Sequence, residues 1–167
     1  MPDFKKLRSE FSLDKNLLWL NNCGISVPPQ ICATTTAAYL DAYAREGVRQ
    51  TFRPHGVTKR NIQNYLVKLF GGTAHEYALL NNTAEGMTFI AQSLKIKAGD
   101  KILLVAREYP SNVYPFMQLK HQGVELEFIE TANDNATFLK NIEKALTPRV
   151  KAMSLSAVDW LTGLRFD

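Results

Sequence analysis

Apolar and polar residues alternate with two different periods along the chain, which predicts a succession of helices and strands. Apolar residues at helical spacing predict helices at about 4–11, 30–46, 57–70, 83–95, 111–121 and 136–146. Short apolar runs predict strands at about 17–20, 77–80, 102–105, 124–129 and 150–155. Gly47 and the pair Gly71-Gly72 are expected to end the second and third helices.

From residue 76 onward, the predicted order is β-α-β-α-β-α-β. This order is typical of an α/β fold with a doubly wound, mostly parallel sheet and right-handed crossovers. The run Ile102 to Val105 is continuously apolar, which predicts a strand covered on both faces. We expect one domain over 1–167, with an N-terminal arm and helix at 1–56 and a β-α-β core at 57–167.

Ligands of open α/β sheets bind beyond the carboxyl ends of the strands. This rule brings together the loops that follow Leu80, Ala106 and Leu155. Their polar residues are Asn81, Asn82, Thr83, Glu85, Arg107, Glu108, Tyr109, Ser111, Asn112, Ser156, Asp159 and Thr162.

The segment Asn81 to Gly86, "NNTAEG", lies between a predicted strand and a predicted helix. A helix start presents free N–H groups and the positive end of the helix dipole, and both favour phosphate. Thr83 adds a hydroxyl, and Asn82 adds an amide. The alternative is an ordinary capped helix start, with Asn82 or Thr83 as N-cap. The segment alone is compatible with both hypotheses.

Composition narrows the function classes. The chain has 167 residues, 46% hydrophobic and 22% charged, and a net charge of +4, which fits an ordinary globular protein. Its basic residues are scattered and form no stripe with aromatics, so we expect no nucleic-acid partner. The N-terminal sequence is charged, and no apolar run is long enough to span a bilayer, so we expect no signal peptide, no membrane partner and a cytoplasmic location.

Several common kinds of site are not predicted. Cys23 and Cys32 form no CxxC pair, so neither a disulfide scaffold nor a metal site is expected. The glycine motifs of nucleotide-binding sites and the GxSxG motif of serine hydrolases are absent. Cys23 could act as a nucleophile, but a lone loop cysteine is more often structural. Tyr109 is either a rim residue that packs on the next helix or an aromatic that stacks on a planar ligand.

Four segments, in order, resemble motifs of the class V aminotransferases, which are fold-type-I enzymes dependent on pyridoxal 5'-phosphate (PLP). This group includes cysteine desulfurases, kynureninase and isopenicillin N epimerase. "LWLNNCGIS" resembles "YLNN", "NNTAEGMTFIAQSL" resembles "GTTEGINLVA", "AREYPSNVYPF" is similar to "EHHANIVPW", and "SLSAVDWLTGLRFD" resembles "SHVSNVTG". The resemblance implies part of the large domain of a PLP-dependent transferase.

The resemblance also implies roles for individual residues. Asn82, Thr83 and Ala84 would bind the cofactor phosphate, with Ala84 standing where the family often has a hydroxyl residue. Tyr109 matches the aromatic that stacks on the pyridine ring, and Asp159 falls near the residue that contacts the ring hydroxyl. No residue of the chain matches a catalytic residue of the family.

The family's Schiff-base lysine and its ring-nitrogen aspartate lie downstream of the last matching motif. The resemblance therefore implies the N-terminal part of a PLP enzyme with an amino acid substrate of unknown identity, inactive alone. A homodimer or a complementing C-terminal chain is the expected partner. The alternative is a non-catalytic protein derived from this fold that binds an anion or pairs with a partner.

Overall fold

Two units divide the chain, Met1–Ala78 and Leu79–Asp167. The structure is a computed structural model that describes residues 3–47 and 52–166, with only the backbone described for 52–55. The predicted single domain with a boundary after residue 56 stays a prediction.

Among its described residues, the first unit contains three α-helices, and each of them overlaps a predicted helix. α1 (Phe4–Ser9) is capped by Asp3, whose carboxylate accepts hydrogen bonds from the N–H groups of Lys5 and Lys6 at 3.0 and 3.1 Å. α2 (Gln30–Glu46) ends at Gly47, which has a φ of 62°, a conformation that favours glycine. α3 (Phe52–Phe70) follows.

α3 begins five residues before the predicted start at residue 57. Its first turn contains Pro54, and a proline is tolerated there because the first N–H groups of a helix have no intrahelical acceptor. The connection between α2 and α3 is therefore shorter than the predicted helix bounds, 30–46 and 57–70, imply.

The second unit contains a parallel sheet with the strand order β2-β1-β3. β1 (Lys101–Val105) is central, and β2 (Glu125–Ile129) and β3 (Val150–Ser154) pair with it on either side. Leu103 lies opposite Glu127 in β2 and opposite Met153 in β3. Because all three strands run the same way, the loops that follow them leave the same edge of the sheet.

β1 contributes side chains to two hydrophobic cores, because successive side chains of a strand point to opposite faces. Ile102 and Leu104 belong to one core, and Leu103 and Val105 belong to the other. The first core also contains Ala91, Val113, Phe116, Leu119 and Val124, and the second contains Ile129, Phe138 and Ala145. The predicted α/β fold, with a parallel sheet covered on both faces, is confirmed.

Three further α-helices cover the sheet: α4 (Thr83–Ser93), α5 (Tyr114–Met117) and α6 (Asn135–Ala145). The helix predicted at 111–121 is broken into a 3-10 turn (Pro110–Asn112), α5 and a second 3-10 segment (Gln118–Gln122). Pro110 and Pro115 explain the break, since neither has an N–H to donate. Gly123, at a φ of 79°, ends the segment.

Two predicted strands are wrong. Residues 17–20 and 77–80 form no ladder in the described part of the chain. The Leu18 side chain is 78% exposed, and the backbone of Tyr77 is engaged by Ala74 and by the Gln63 amide instead. A short apolar run becomes a strand when a neighbouring strand pairs with it, and four residues do not reveal whether one is present.

Within the described ranges, each helix is too short or too polar to traverse a bilayer.

Candidate functional site

The start of α4 is closed by a reciprocal cap. Asn82 is the N-cap residue, and its side-chain oxygen accepts a hydrogen bond from the Glu85 N–H at 2.9 Å. The Glu85 carboxylate reaches back and accepts hydrogen bonds from the backbone N–H and the amide of Asn81, at 2.7 and 3.2 Å. The N-cap hypothesis is thus confirmed for Asn82, and the cap fixes the geometry of the first turn.

The cap provides an acceptor for the N–H of Glu85. The N–H groups of Thr83 and Ala84 lie in the first turn of the helix, where no intrahelical acceptor exists. Their two N–H groups, the Thr83 hydroxyl and the positive end of the α4 dipole form a donor set that suits a phosphate. Ala84 adds no side-chain donor. The chemistry of this turn therefore fits a phosphate-bearing cofactor.

Gly86 allows the first turn of α4 to approach the segment before it. A Cβ at this position would lie 2.9 Å from the Leu80 side chain, closer than such contacts allow. A larger residue at 86 would have to move either the helix start or Leu80.

A cavity of about 270 Å³ joins the start of α4 to the loop after β1. Ala84 and Thr88 line it from α4, and Pro110 and Ser111 line it from the 3-10 turn. Tyr114, Pro115 and Gln118 complete the lining. Tyr109 directly precedes this lining, so the predicted phosphate-binding turn and the predicted stacking residue belong to neighbouring segments.

Tyr109 lies at the carboxyl edge of the sheet with its side chain 49% exposed. Its ring and the Trp160 ring lie edge to face, at a centroid distance of 5.4 Å and an interplanar angle of 87°. The Trp160 indole N–H donates a hydrogen bond to the Arg107 carbonyl at 2.9 Å. The loops that follow β1 and β3 therefore contact each other beside Tyr109.

The Glu108 side chain also links the loop after β1 to the loop after β3. Its buried carboxylate accepts hydrogen bonds from the Tyr109 N–H at 2.7 Å, from the Ser156 N–H at 2.7 Å and from the Ser156 hydroxyl at 2.9 Å. The Asn112 amide also donates to the Ser156 hydroxyl, at 3.0 Å. Carboxylates that accept several hydrogen bonds hold loops firmly, because burying the charge without them would be costly.

Asp159 is buried, and one of its oxygens, Oδ1, accepts hydrogen bonds from its own turn. The donors are the Leu161 N–H at 2.9 Å, the Thr162 N–H at 2.7 Å and the Thr162 hydroxyl at 2.9 Å. Burial raises the pKa of Asp159, but these hydrogen bonds and the charge of Arg107 outweigh it, so its pKa lies below the ordinary value.

The structure brings the three predicted loops together. Asn82, Thr83 and Ala84 form one turn, Tyr109 lies one residue from the cavity that Ala84 lines, and Asp159 precedes the Trp160 that contacts Tyr109. Their roles toward a cofactor stay predictions. Sequence reasoning gave no role to Glu108, Ser156 or Trp160. Glu108 and Ser156 are 48 residues apart, and no local pattern announces their pairing.

A comparison with protein families shows which family the chain belongs to. The family described as Aminotransferase class-V matches residues 19–167. The chain belongs to this family. The predicted resemblance is thereby confirmed, and apart from Leu18 the match covers the four segments from which it was inferred.

Curated relatives include two proteins named as probable cysteine desulfurases. The one from Ureaplasma parvum is 25% identical over 170 residues, which cover 98% of this chain and 42% of the relative. The one from Pyrococcus abyssi is 25% identical over 158 residues, covering 91% of this chain and 38% of the relative. The chain thus spans about two fifths of the length of these relatives.

Solved structures show the same fold. A mutant of C-DES, described with glycine covalently linked to its PLP cofactor, superposes with a TM-score of 0.81 at 20% identity, covering 99% of this chain and 43% of that one. The apo cysteine desulfurase of Thermococcus onnurineus superposes at 0.77 with 21% identity, covering 100% and 43%. The predicted PLP-transferase fold is confirmed, over the part of it that this chain spans.

Proposed function

We propose that this chain forms the phosphate-binding and ring-binding side of a PLP site in a class V aminotransferase-like enzyme that acts on an amino acid. The observation that carries the proposal is the capped start of α4, where Ala84 lines the cavity that Pro110 and Ser111 also line. Family membership, and the PLP named in the C-DES structure, support the choice of cofactor over other phosphates.

PLP, when bound, supplies an electron sink for chemistry at the α-carbon of an amino acid. In this proposal, the N–H groups of Thr83 and Ala84 and the Thr83 hydroxyl bind its phosphate. Asn82 keeps the turn closed through its bond to Glu85, and Tyr109 offers its ring to the pyridine. Asp159 is proposed to approach the ring hydroxyl with Oδ2, because Oδ1 is engaged by Leu161 and Thr162.

The residues of this chain are proposed to bind the cofactor without anchoring it covalently, because no lysine among them matches the family's Schiff-base lysine. The covalent anchor would then have to come from a complementing chain, since a second copy of this chain in a homodimer brings no matching lysine. A cytoplasmic location is also proposed. The relatives' names suggest cysteine as one amino acid to test, and the substrate is left open among amino acids.

The test uses pyridoxine 5'-phosphate, which lacks the aldehyde and so cannot react with lysines. We expect the purified chain to bind it in calorimetry, and Thr83→Ala to bind it about tenfold more weakly, since a hydrogen bond to a charged phosphate is lost. Thr58→Ala is the matched control, because it removes an exposed threonine from α3. Absent binding by the wild-type chain would refute the proposal.

Treatment with PLP and then borohydride tests whether the chain lacks a lysine that binds PLP covalently. We expect no single lysine to be modified stoichiometrically in peptide mapping. A stable adduct at one lysine would show that the chain carries a covalent anchor and would contradict this part of the proposal.

A second candidate is a non-catalytic protein of this fold that pairs with another chain. It is favoured by the first unit, where no described side chain of 3–47 or 56–78 is buried. The two candidates differ in ligand binding: the pairing protein would associate with its partner whether or not pyridoxine 5'-phosphate is present, and Thr83→Ala would leave that association unchanged.

A further inference from the structure

Glu108 is a buried carboxylate that touches Tyr109 and a loop distant in sequence. Its side chain connects the backbone of Tyr109 with both the backbone and the hydroxyl of Ser156. The residue is 9% exposed, so its charge depends on these three donors for stabilisation. The hydrogen bonds therefore fix the backbone at Tyr109 relative to the loop after β3.

Trp160, from the loop after β3, contacts the same segment through its side chain. Its indole N–H donates a hydrogen bond to the carbonyl of Arg107. Arg107 has a φ of 58°, a backbone conformation that costs energy for residues other than glycine. The Trp160 ring and the Tyr109 ring lie edge to face. The strained turn at Arg107 and the half-exposed ring of Tyr109 are thus both stabilised by one side chain from the loop after β3.

We propose that Glu108 and Trp160 are positioning residues, which together set the location and ring plane of Tyr109 for stacking on a pyridine ring. The inference rests on the proposed function, because it assumes that a pyridine-bearing phosphate binds here. Glu108 fixes the Tyr109 backbone, and Trp160 restricts its side chain. A ring held in place before binding loses less conformational freedom when the ligand arrives, which strengthens binding.

The proposal separates ring binding from phosphate binding. The phosphate donors lie on α4, whereas Glu108 and Trp160 lie on the loops after β1 and β3. Loss of either positioning residue should weaken a ligand that has both a ring and a phosphate. It should leave the affinity for inorganic phosphate unchanged. A residue that merely kept the unit folded would weaken both.

The experiment compares Glu108→Gln, Glu108→Ala, Trp160→Phe and Trp160→Ala with the wild-type chain. Calorimetry measures the affinity for pyridoxine 5'-phosphate and for inorganic phosphate. Near-ultraviolet circular dichroism, in a Trp19→Phe background, monitors the Tyr109–Trp160 pair without any ligand. Glu125→Gln is the control, because it breaks an ion pair with Arg149 at the amino-terminal end of the strands.

Glu108→Ala and Trp160→Ala are expected to lower the affinity for pyridoxine 5'-phosphate about tenfold. The affinity for inorganic phosphate should not change. Glu108→Ala should also reduce the dichroism of the aromatic pair. Glu108→Gln should be intermediate, because its amide keeps one acceptor oxygen but opposes one N–H with an NH₂ group. Trp160→Phe should restore part of the affinity, since it keeps a ring and loses the indole hydrogen bond.

Unchanged dichroism and unchanged pyridoxine 5'-phosphate affinity in Glu108→Ala would overturn the inference and leave the proposed function standing. Equal losses for both ligands would overturn it too, because they indicate a structural role alone. Glu108→Gln preserves the volume of the side chain, so it decides the matter if Glu108→Ala does not fold. Failure of the wild-type chain to bind pyridoxine 5'-phosphate would refute the proposed function itself, and the inference with it.

Discussion

Asp159 is a carboxylate whose negative charge is stabilised by its own turn. It is 8% exposed, and its Oδ1 accepts hydrogen bonds from Leu161 and Thr162. Because these bonds lower its pKa in the folded state, the ionised form stabilises the fold above the pKa of the unfolded chain. That contribution is lost as the pH falls through the lower, folded pKa.

We therefore predict that Asp159→Asn lowers the free energy of unfolding by about 1 to 2 kcal/mol at neutral pH, since three hydrogen bonds lose a charged acceptor. The difference from the wild type should shrink as the pH falls below about 4, where the unfolded carboxyl becomes protonated. Urea denaturation at several pH values measures this.

Asp41→Asn, which removes an exposed carboxylate paired with Arg45 on α2, is the control and should change stability by less than about 0.5 kcal/mol. A loss in Asp159→Asn that does not vary with pH would show that the charge of Asp159 is unimportant to the turn.

Residues with local partners were predictable, and residues with distant partners were not. Asn82 could be read as an N-cap because its acceptor role depends on Glu85, three positions away. Glu108 and Ser156 are paired by the fold of the sheet. The sequence places each of them after a strand, but it holds no periodicity that matches one to the other.

At the scale of elements, β1 organises the second unit because both of its faces are buried. Leu104 packs in the core that includes Ala91 of α4 and Phe116 of α5, whereas Leu103 packs in the core that includes Phe138 of α6. The continuous apolar run predicted this arrangement correctly, since such runs occur in strands covered on both sides. The cavity beside the start of α4 lies on the side of α4 and α5.

Leu103→Ala and Leu104→Ala form a matched pair of variants on neighbouring positions. Each should lower the free energy of unfolding by about 2 to 5 kcal/mol, because each deletes a fully buried side chain. Only Leu104→Ala should also lower the affinity for pyridoxine 5'-phosphate, because it loosens the packing under α4 and α5. Urea denaturation and calorimetry measure the two effects. Equal losses of affinity would contradict the separation of the two cores.

The elements that were predicted wrongly share a physical cause. Helices over 30–46 and 83–93 depend on local hydrogen bonds, caps and glycines, which the sequence displays. The strands predicted at 17–20 and 77–80 would need a neighbouring strand, which the sequence cannot display. The helix predicted at 111–121 is interrupted at prolines, which a prediction from apolar spacing alone does not take into account.

At the scale of the whole molecule, the two units differ in burial. All buried apolar side chains of the described residues belong to the second unit. In the first unit, α3 presents Ile62, Tyr65 and Leu69 at helical spacing, and all three are exposed, Leu69 by 74%. We call these three residues the α3 apolar strip. Contiguous apolar surface of this kind is typical of association sites.

We predict that the purified chain self-associates through the α3 apolar strip, because covering these side chains removes apolar surface from water. Leu69→Glu should shift the chain toward the monomer in light scattering and sedimentation, since a carboxylate would have to be buried in the contact. Asn64→Glu introduces the same charge at an exposed polar position of α3, and it should leave the association unchanged. A wild-type chain that is monomeric at all concentrations would contradict the prediction. An equal effect of both substitutions would indicate a general effect of charge, so that the apolar strip would not be the surface responsible.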